Sequence, residues 1–356
     1  MDLLFDFAKP AVGKGLVGRR EEISLLVDSL TEKRRGAAFC DGAKSGRATV
    51  IRNALSILKD RCLDFVTCEL DLFNVRSYED FIRLFREVIT GCYNDVNRHN
   101  MLPFTIDFSG LPDDKILEVP QLIAEESGRN IIIVIKEFQN LAVLDGNGFS
   151  LADIDAVWTK QKSVRYIFTG SSVNVMRNVF EDRKLFYYIT TLIKLEPLGM
   201  KAVTDYIVST CLNAGRVIGK DVAEEICRIA GDSIWYVKQL CSICYSFPIG
   251  YITLPAVKEA ENALIGNYLP HFTRIMADLT PNQINFLKAA LDGVRKFSSQ
   301  EILDRYHLNS SANVFRVKDA LRKKEVLTFE KDDSARILDP LFEYWLRNYY
   351  FKDLQK

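Results

Sequence analysis

The stretch Cys40–Thr49, "CDGAKSGRAT", follows the apolar run "GAAF" (36–39) and precedes an apparent helix, "VIRNALSILKD" (50–60). A strand, a glycine-containing turn and a helix are the setting of a phosphate-binding loop. Such a loop works through GxxxxGK[ST]: the glycines let backbone N–H groups approach the phosphates, the lysine reaches the β/γ oxygens, and the hydroxyl holds Mg²⁺. Aligned on Gly46, this chain has Asp41 at the first glycine position, Arg47 at the lysine and Ala48 at the hydroxyl. Arginine keeps the charge but as a planar fork. Alanine cannot bind a metal. Thr49 lies about 100° further round a helix, so it is no simple substitute. Asp41 adds a repulsive charge near phosphate.

Working outward, Ile23, Leu26, Val27 and Leu30 share one face at helical spacing, and "FVTCELDLF" (65–73) alternates as a strand does. Ser77, with Asp80 three residues on, opens a helix whose stripe is Phe81, Leu84, Phe85 and Val88; a loop-rich excursion follows over 97–113. "NIIIVI" (130–135) is a continuous β-branched run, the mark of a strand buried on both faces of a parallel sheet. "VRYIFTGSS" (164–172) is a further strand ending in small residues. Strands alternating with helices imply an α/β, doubly wound parallel sheet.

Beyond "LEPLG" (195–199) helical patterns take over through about residue 275. Residues 280–338 change again. Thr280, Pro281 and Gln283 make a strong helix start, and Ser298 with Glu301 suggests another capping box. A third helix, with Val314, Val317 and Leu321 on one face, precedes a hairpin turning at Asp332–Ser334. Three short helices and a hairpin are a winged helix-turn-helix pattern. The expected divisions are 1–197 (nucleotide-binding core), 198–278 (helical lid) and 279–356 (winged helix).

Lysine plus arginine equals aspartate plus glutamate, 47 against 47, so net charge points to no partner, and any basic patch must be local. The N-terminus carries no basic region followed by a long apolar one, and no run reaches the roughly 18 apolar residues of a membrane span. A reduced, cytoplasmic chain without membrane contact is expected, its eight cysteines mostly buried thiols. Cys241 and Cys244 form a CxxC, but no further ligands are near in sequence, and an apolar helix surrounds them: two core cysteines, with no metal. Trp158, Trp235 and Trp345 read as core or interface fillers. His99, His271 and His307 have no catalytic arrangement, and Ser171 and Ser172 lack a nucleophile elbow.

In element order the chain resembles the prokaryotic AAA+/STAND ATPases of the Orc/Cdc6-like "archaeal ATPase" group, over nearly its whole length. "LVGRREEI" (16–23) is similar to the family's box against the adenine, "DGAKSGRAT" (41–49) falls at its Walker A, and "IIIVIKEFQNL" (131–141) at its Walker B. "FTGSSVNVMRNVF" (168–180) is similar to its sensor strand and "LDPLFEYWL" (338–346) to the motif closing its winged helix. The departures are consistent with one another. Lys136 stands where an aspartate would hold the Mg²⁺ shell, while Glu137, at the water-activating position, survives. Tyr188 replaces an expected arginine and Ile234 an expected proline.

The resemblance implies a ligand, ATP or ADP, with Val17, Gly18, Arg19, Gly42, Lys44, Ser45, Gly46, Arg47, Thr49 and Lys136 as nucleotide-binding positions and Glu137 as the catalytic one if the site turns over. With both metal-holding positions replaced, Mg²⁺ is not expected and the chain reads as a pseudo-ATPase that senses nucleotide or acts as a scaffold, through a protein partner or self-association. Lys44, Arg47 and Lys136 would place up to three cations near the phosphates; the alternative is a closed loop, with Lys136 paired to Asp41 or Glu137. Two other readings are an active ATPase with an atypical site and a regulator binding double-stranded DNA through Arg316, Arg322 and Lys323 on the third helix of the winged domain. Asp319 on that face and the acidic wing thin the phosphate footprint.

Overall fold

The computed structural model describes residues 4–33, 35–61, 63–100, 105–231 and 233–353. The chain folds into two compact units. One comprises Arg19–Ala43 and Arg47–Leu195; the other comprises Met1–Gly18, Lys44–Gly46 and Glu196–Lys356.

The first of these is the α/β unit. Its strands are β1 (Gly36–Phe39), β2 (Phe65–Asp71), β3 (Asn130–Lys136), β4 (Val164–Thr169) and β5 (Thr190–Leu192). All pairings are parallel, in the order β2-β3-β4-β1-β5. The unbroken apolar run predicted β3 correctly: Ile131–Ile135 are all buried, as is the whole of β4. On the edge strand β2, Cys68 and Leu70 are buried while Glu69 and Asp71 are exposed, the alternation of a strand with one wet face. Gly36 lies so close to β4 that a Cβ there would meet the Tyr166 carbonyl oxygen at 1.8 Å.

The helices of this unit are α1 (Arg20–Leu30), α2 (Arg47–Asp60), α3 (Tyr78–Asn100), α4 (Asp113–Ile116), α5 (Val119–Ser127), α6 (Gln139–Ala142), α7 (Leu151–Trp158) and α8 (Val173–Arg177). Ser77 Oγ accepts from the Asp80 N–H at 3.2 Å, the expected cap. The loop expected from 97 begins later, because α3 runs on through Asn100; residues 101–104 and the side chain of His99 lie outside the described residues. The core is aromatic. Trp158 stacks on Tyr166 at 4.2 Å and packs with Phe168 and Phe186.

The other unit holds α9 (Met200–Asn213), α10 (Lys220–Ala230), α11 (Ile234–Ser246) and α12 (Leu254–Ala277), with a pair of short parallel strands, β6 (Val217–Ile218) and β7 (Tyr251–Ile252), that periodicity did not reveal. Cys211, Cys227, Cys241 and Cys244 are free thiols in its apolar core, as expected; Cys62 lies outside the described residues. Next come α13 (Pro281–Leu291), α14 (Gln300–Arg305), α15 (Ser311–Lys323), the antiparallel hairpin β8 (Leu327–Phe329) and β9 (Ala335–Ile337), and α16 (Pro340–Trp345). Thr280 and Gln283 form a complete capping box on α13. The box expected at Ser298 is a correction: α14 begins one residue later, its N-cap is Ser299 with no side-chain cap bond, and Glu301 falls one position too early to reach back. The hairpin turns through Asp333, at φ 64°. The parallel-sheet core and the C-terminal winged helix are the fold class the sequence predicts.

Candidate functional site

In an open parallel sheet ligands bind beyond the carboxyl ends of the strands, where the strand order reverses. Three such ends meet here: Asp41 and Gly42 after β1, Glu137 after β3, and Gly170 and Ser171 after β4. Arg47, the first residue of α2, reaches into this cluster. Its Nη1 donates to the carbonyl oxygens of Asp41 at 2.9 Å, Gly42 at 3.1 Å and Gly170 at 2.6 Å. Its Nη2 lies 3.6 Å from Glu137 Oε1. Burial pulls the guanidinium pKa below its ordinary value, with Glu137 and Asp41 acting in the opposite direction.

Glu137 has a left-handed backbone, φ 52°. A non-glycine residue held there is strained, and the surroundings must over-determine it. They do so through its carboxylate: Oε2 accepts from Gln139 Nε2 at 2.7 Å and from Ser171 Oγ at 2.5 Å. Gln139 Oε1 in turn accepts from the Ser171 N–H at 3.1 Å. At Gly170 a Cβ would lie 2.5 Å from Gln139 Oε1 and 2.6 Å from Met176 Sδ, so a side chain there would displace these two. The Asp41 carboxylate accepts from the Leu195 N–H at 3.2 Å.

Gln139, Gly170 and Ser171 were given no role by sequence reasoning, although each lies in a quoted motif. The usable signal was the adjacency of the two strands: parallel β3 and β4, paired Ile135 to Phe168, deliver their following residues to one place.

The other expected positions are dispersed. Lys136 does not pair with Asp41 or Glu137 as the closed-loop reading has it; its ammonium is bound by Glu69 on β2. The reason is register, because Lys136 sits beside Asp71 and so faces the acidic wet face of the edge strand. Lys44 has its ammonium 4.1 Å from the ring centroid of Trp235 and 3.2 Å from the Tyr236 hydroxyl, all within the second unit. Lys44 and Gly46 have positive φ, 66° and 97°, the backbone shape of an anion-binding nest. The Ser45 hydroxyl is buried, and the Thr49 carbonyl accepts from Asn53 at 2.7 Å. Val17 is buried in the core of the second unit, Gly18 packs against Leu198, and Arg19 pairs with Glu22 at 2.6 Å.

On α15, Phe315, Arg316, Arg322 and Lys323 are exposed, and Lys323 is paired with Asp319 at 2.8 Å. Among the described residues no group of three or more His, Cys, Asp or Glu is arranged to hold a metal, and no helix is long and apolar enough to cross a membrane.

A family described as a probable winged helix domain matches residues 270–348. A search of the curated proteins finds no match. Among solved structures, a Walker-type ATPase of Pyrococcus abyssi is similar with a TM-score of 0.72 at 16% identity, covering 97% of this chain and 99% of that one. The Orc2 protein of Aeropyrum pernix in ADPNP–ADP complexes gives 0.62 at 12%, covering 99% and 98%. The Orc1 protein of the same organism in complex with DNA gives 0.52 at 13%, covering 98% and 97%. These likenesses show the fold: it is that of the Walker-type and Orc structures, a P-loop-type parallel sheet with a C-terminal winged helix. The group suggested by the sequence motifs is the one these structures represent.

Proposed function

We propose that the chain is a nucleotide-binding AAA+/STAND-type module that holds ATP or ADP without turning it over, and acts through conformation and partners. The observation that carries this is Arg47. In a working loop the cation at this position points at the phosphates. Here it ties three strand-end carbonyls together and approaches the surviving acid. Glu137, at the position the resemblance gives to water activation, has one oxygen occupied by Gln139 and Ser171 and the other facing Arg47. An attacking water would have to displace these partners first. Ala48 offers no oxygen to Mg²⁺, and Lys136 brings a like charge.

Binding itself is supported by the backbone. The first turn of a helix leaves its N–H groups without intrahelical acceptors, and the glycine turn ahead of α2 leads into such a turn. Nucleotide held this way depends on amides rather than on a metal.

Calorimetry with ADP, in EDTA and in Mg²⁺, together with phosphate release from ATP, tests the reading. The expected result is ADP binding insensitive to EDTA and no Mg²⁺-dependent release. Mg²⁺-dependent turnover that disappears in Glu137→Gln overturns it. Self-association and the protein partner belong to the same reading, and the exposed Arg316 favours a weak contact of α15 with duplex DNA, in line with the DNA-bound Orc1 relative.

A further inference from the structure

The Lys44 ammonium lies at the corner of three aromatic rings. It is 4.1 Å from the centroid of Trp235, 5.0 Å from Tyr236 and 5.1 Å from Tyr268, each within cation–π range. The rings stand nearly perpendicular to one another, at 74°, 74° and 84°, and the ammonium fills the corner they make. The Tyr236 hydroxyl accepts from Lys44 Nζ at 3.2 Å and donates to Asp339 Oδ2 at 2.7 Å. Asp339 Oδ1 accepts from the N–H groups of Leu341 and Phe342, which start α16. All of these residues lie in one unit.

Lys44 as a whole residue is exposed, so solvent alone would satisfy its charge; the head is nevertheless turned into the rings. Its left-handed backbone, φ 66°, is a conformation that a lysine keeps only when its surroundings hold it. Partial burial of the ammonium lowers its pKa, with Asp339 acting the other way.

We infer that Trp235, Tyr236, Tyr268 and Asp339 form an ammonium-binding site whose ligand is the chain's own Lys44, and that phosphate at the loop competes with this site for the same ammonium. The second half rests on the nucleotide-binding reading above. One ammonium cannot serve both: a phosphate oxygen offers it a full charge, the rings only a quadrupole. Departure of Lys44 removes a donor from Tyr236, which is bonded directly to the cap of α16. Loop occupancy is thereby reported at the start of the motif "DPLFEYW" through two hydrogen bonds.

The test is the ¹H–¹³C spectrum of protein labelled at the lysine ε-carbons, assigned by loss of a peak in Lys44→Met. Protons held over ring faces shift upfield. Without nucleotide, the Lys44 peak is expected upfield of the other lysines and is expected to rejoin them in Trp235→Leu. In Tyr236→Phe, which keeps all three rings, it is expected to move part of the way. A Lys44 peak among the others in the unmutated protein overturns the ammonium site. ADP in EDTA is then added, with binding followed by calorimetry, and the peak is expected to move to the common position. Heat with an unmoved peak overturns the competition. No heat overturns the nucleotide reading and the competition with it, while the nucleotide-free spectrum still decides the ammonium site.

Discussion

The Arg47 guanidinium stands 3.6 Å from the Glu137 carboxylate, and through its other nitrogen it holds the chain after β1 to the chain after β4. A position that serves chemistry in a phosphate loop serves architecture here. Arg47→Met would leave three carbonyls and one carboxylate short of a donor, which costs about 2–3 kcal/mol. Lys136→Met breaks only an exposed pair with Glu69, worth about 0–1 kcal/mol. Urea unfolding of the two variants should therefore differ clearly in midpoint, with Lys136→Met close to the unmutated protein.

Gly36→Ala should be the most damaging small substitution in the α/β unit. The added Cβ would lie 1.8 Å from a backbone oxygen of the neighbouring strand, and neither strand can yield without breaking the pairing of β1 with β4. A loss of about 4 kcal/mol or more is expected, at the rare end of single substitutions. A soluble variant melting near the unmutated protein would refute this account of β1.

Thr280→Ala and Ser299→Ala look alike in sequence and should not behave alike. Thr280 accepts from the Gln283 N–H in a closed capping box, whereas Ser299 makes no side-chain cap bond. The first substitution is expected to cost about 1 kcal/mol and the second to stay within about 0.5 kcal/mol, as read from paired thermal melts.

Alkaline pH should destabilise the protein through its buried thiols and phenols. Burial pushes the thiols of Cys211 and Cys244 up to about 11 and about 12, and the Tyr206 phenol up to about 12. Each folded-state value is above the unfolded one, so the protein holds protons that the unfolded chain releases. The stabilisation is complete below the unfolded values and is lost as pH rises through the folded ones. Melting temperature should fall from about pH 9 upward, and Cys244→Ala should flatten that slope. A flat profile to about pH 11 would contradict the burial of these groups.

Much of the fold was legible because period carries burial. The run "NIIIVI" has no polar residue to place on a wet face beyond its first position, so it had to be an interior strand, and β3 is one. Val314, Val317 and Leu321 gave the buried stripe of α15 for the same reason. β5, with three residues, and β6 and β7, with two each, are too short to show any period. At the site, residue types were readable but directions were not. Arg47, Lys44 and Lys136 looked like three cations with one destination. Side-chain direction follows from neighbours distant in sequence: Glu69 for Lys136, Trp235 for Lys44, and Gly170 for Arg47.

The pairing of Lys136 with the acidic face of β2 bears on how the site could be re-engineered. Replacing Lys136 by aspartate, the residue of the Walker B consensus at this position, places that carboxylate beside Asp71 and close to Glu69. Replacing Arg47 by lysine leaves three carbonyls to be served by one short ammonium. Each of these substitutions towards the consensus, made alone, is therefore expected to lose stability. The two positions are thus tied to the rest of the fold by their own packing, and neither can be exchanged for the consensus residue without a compensating change beside it.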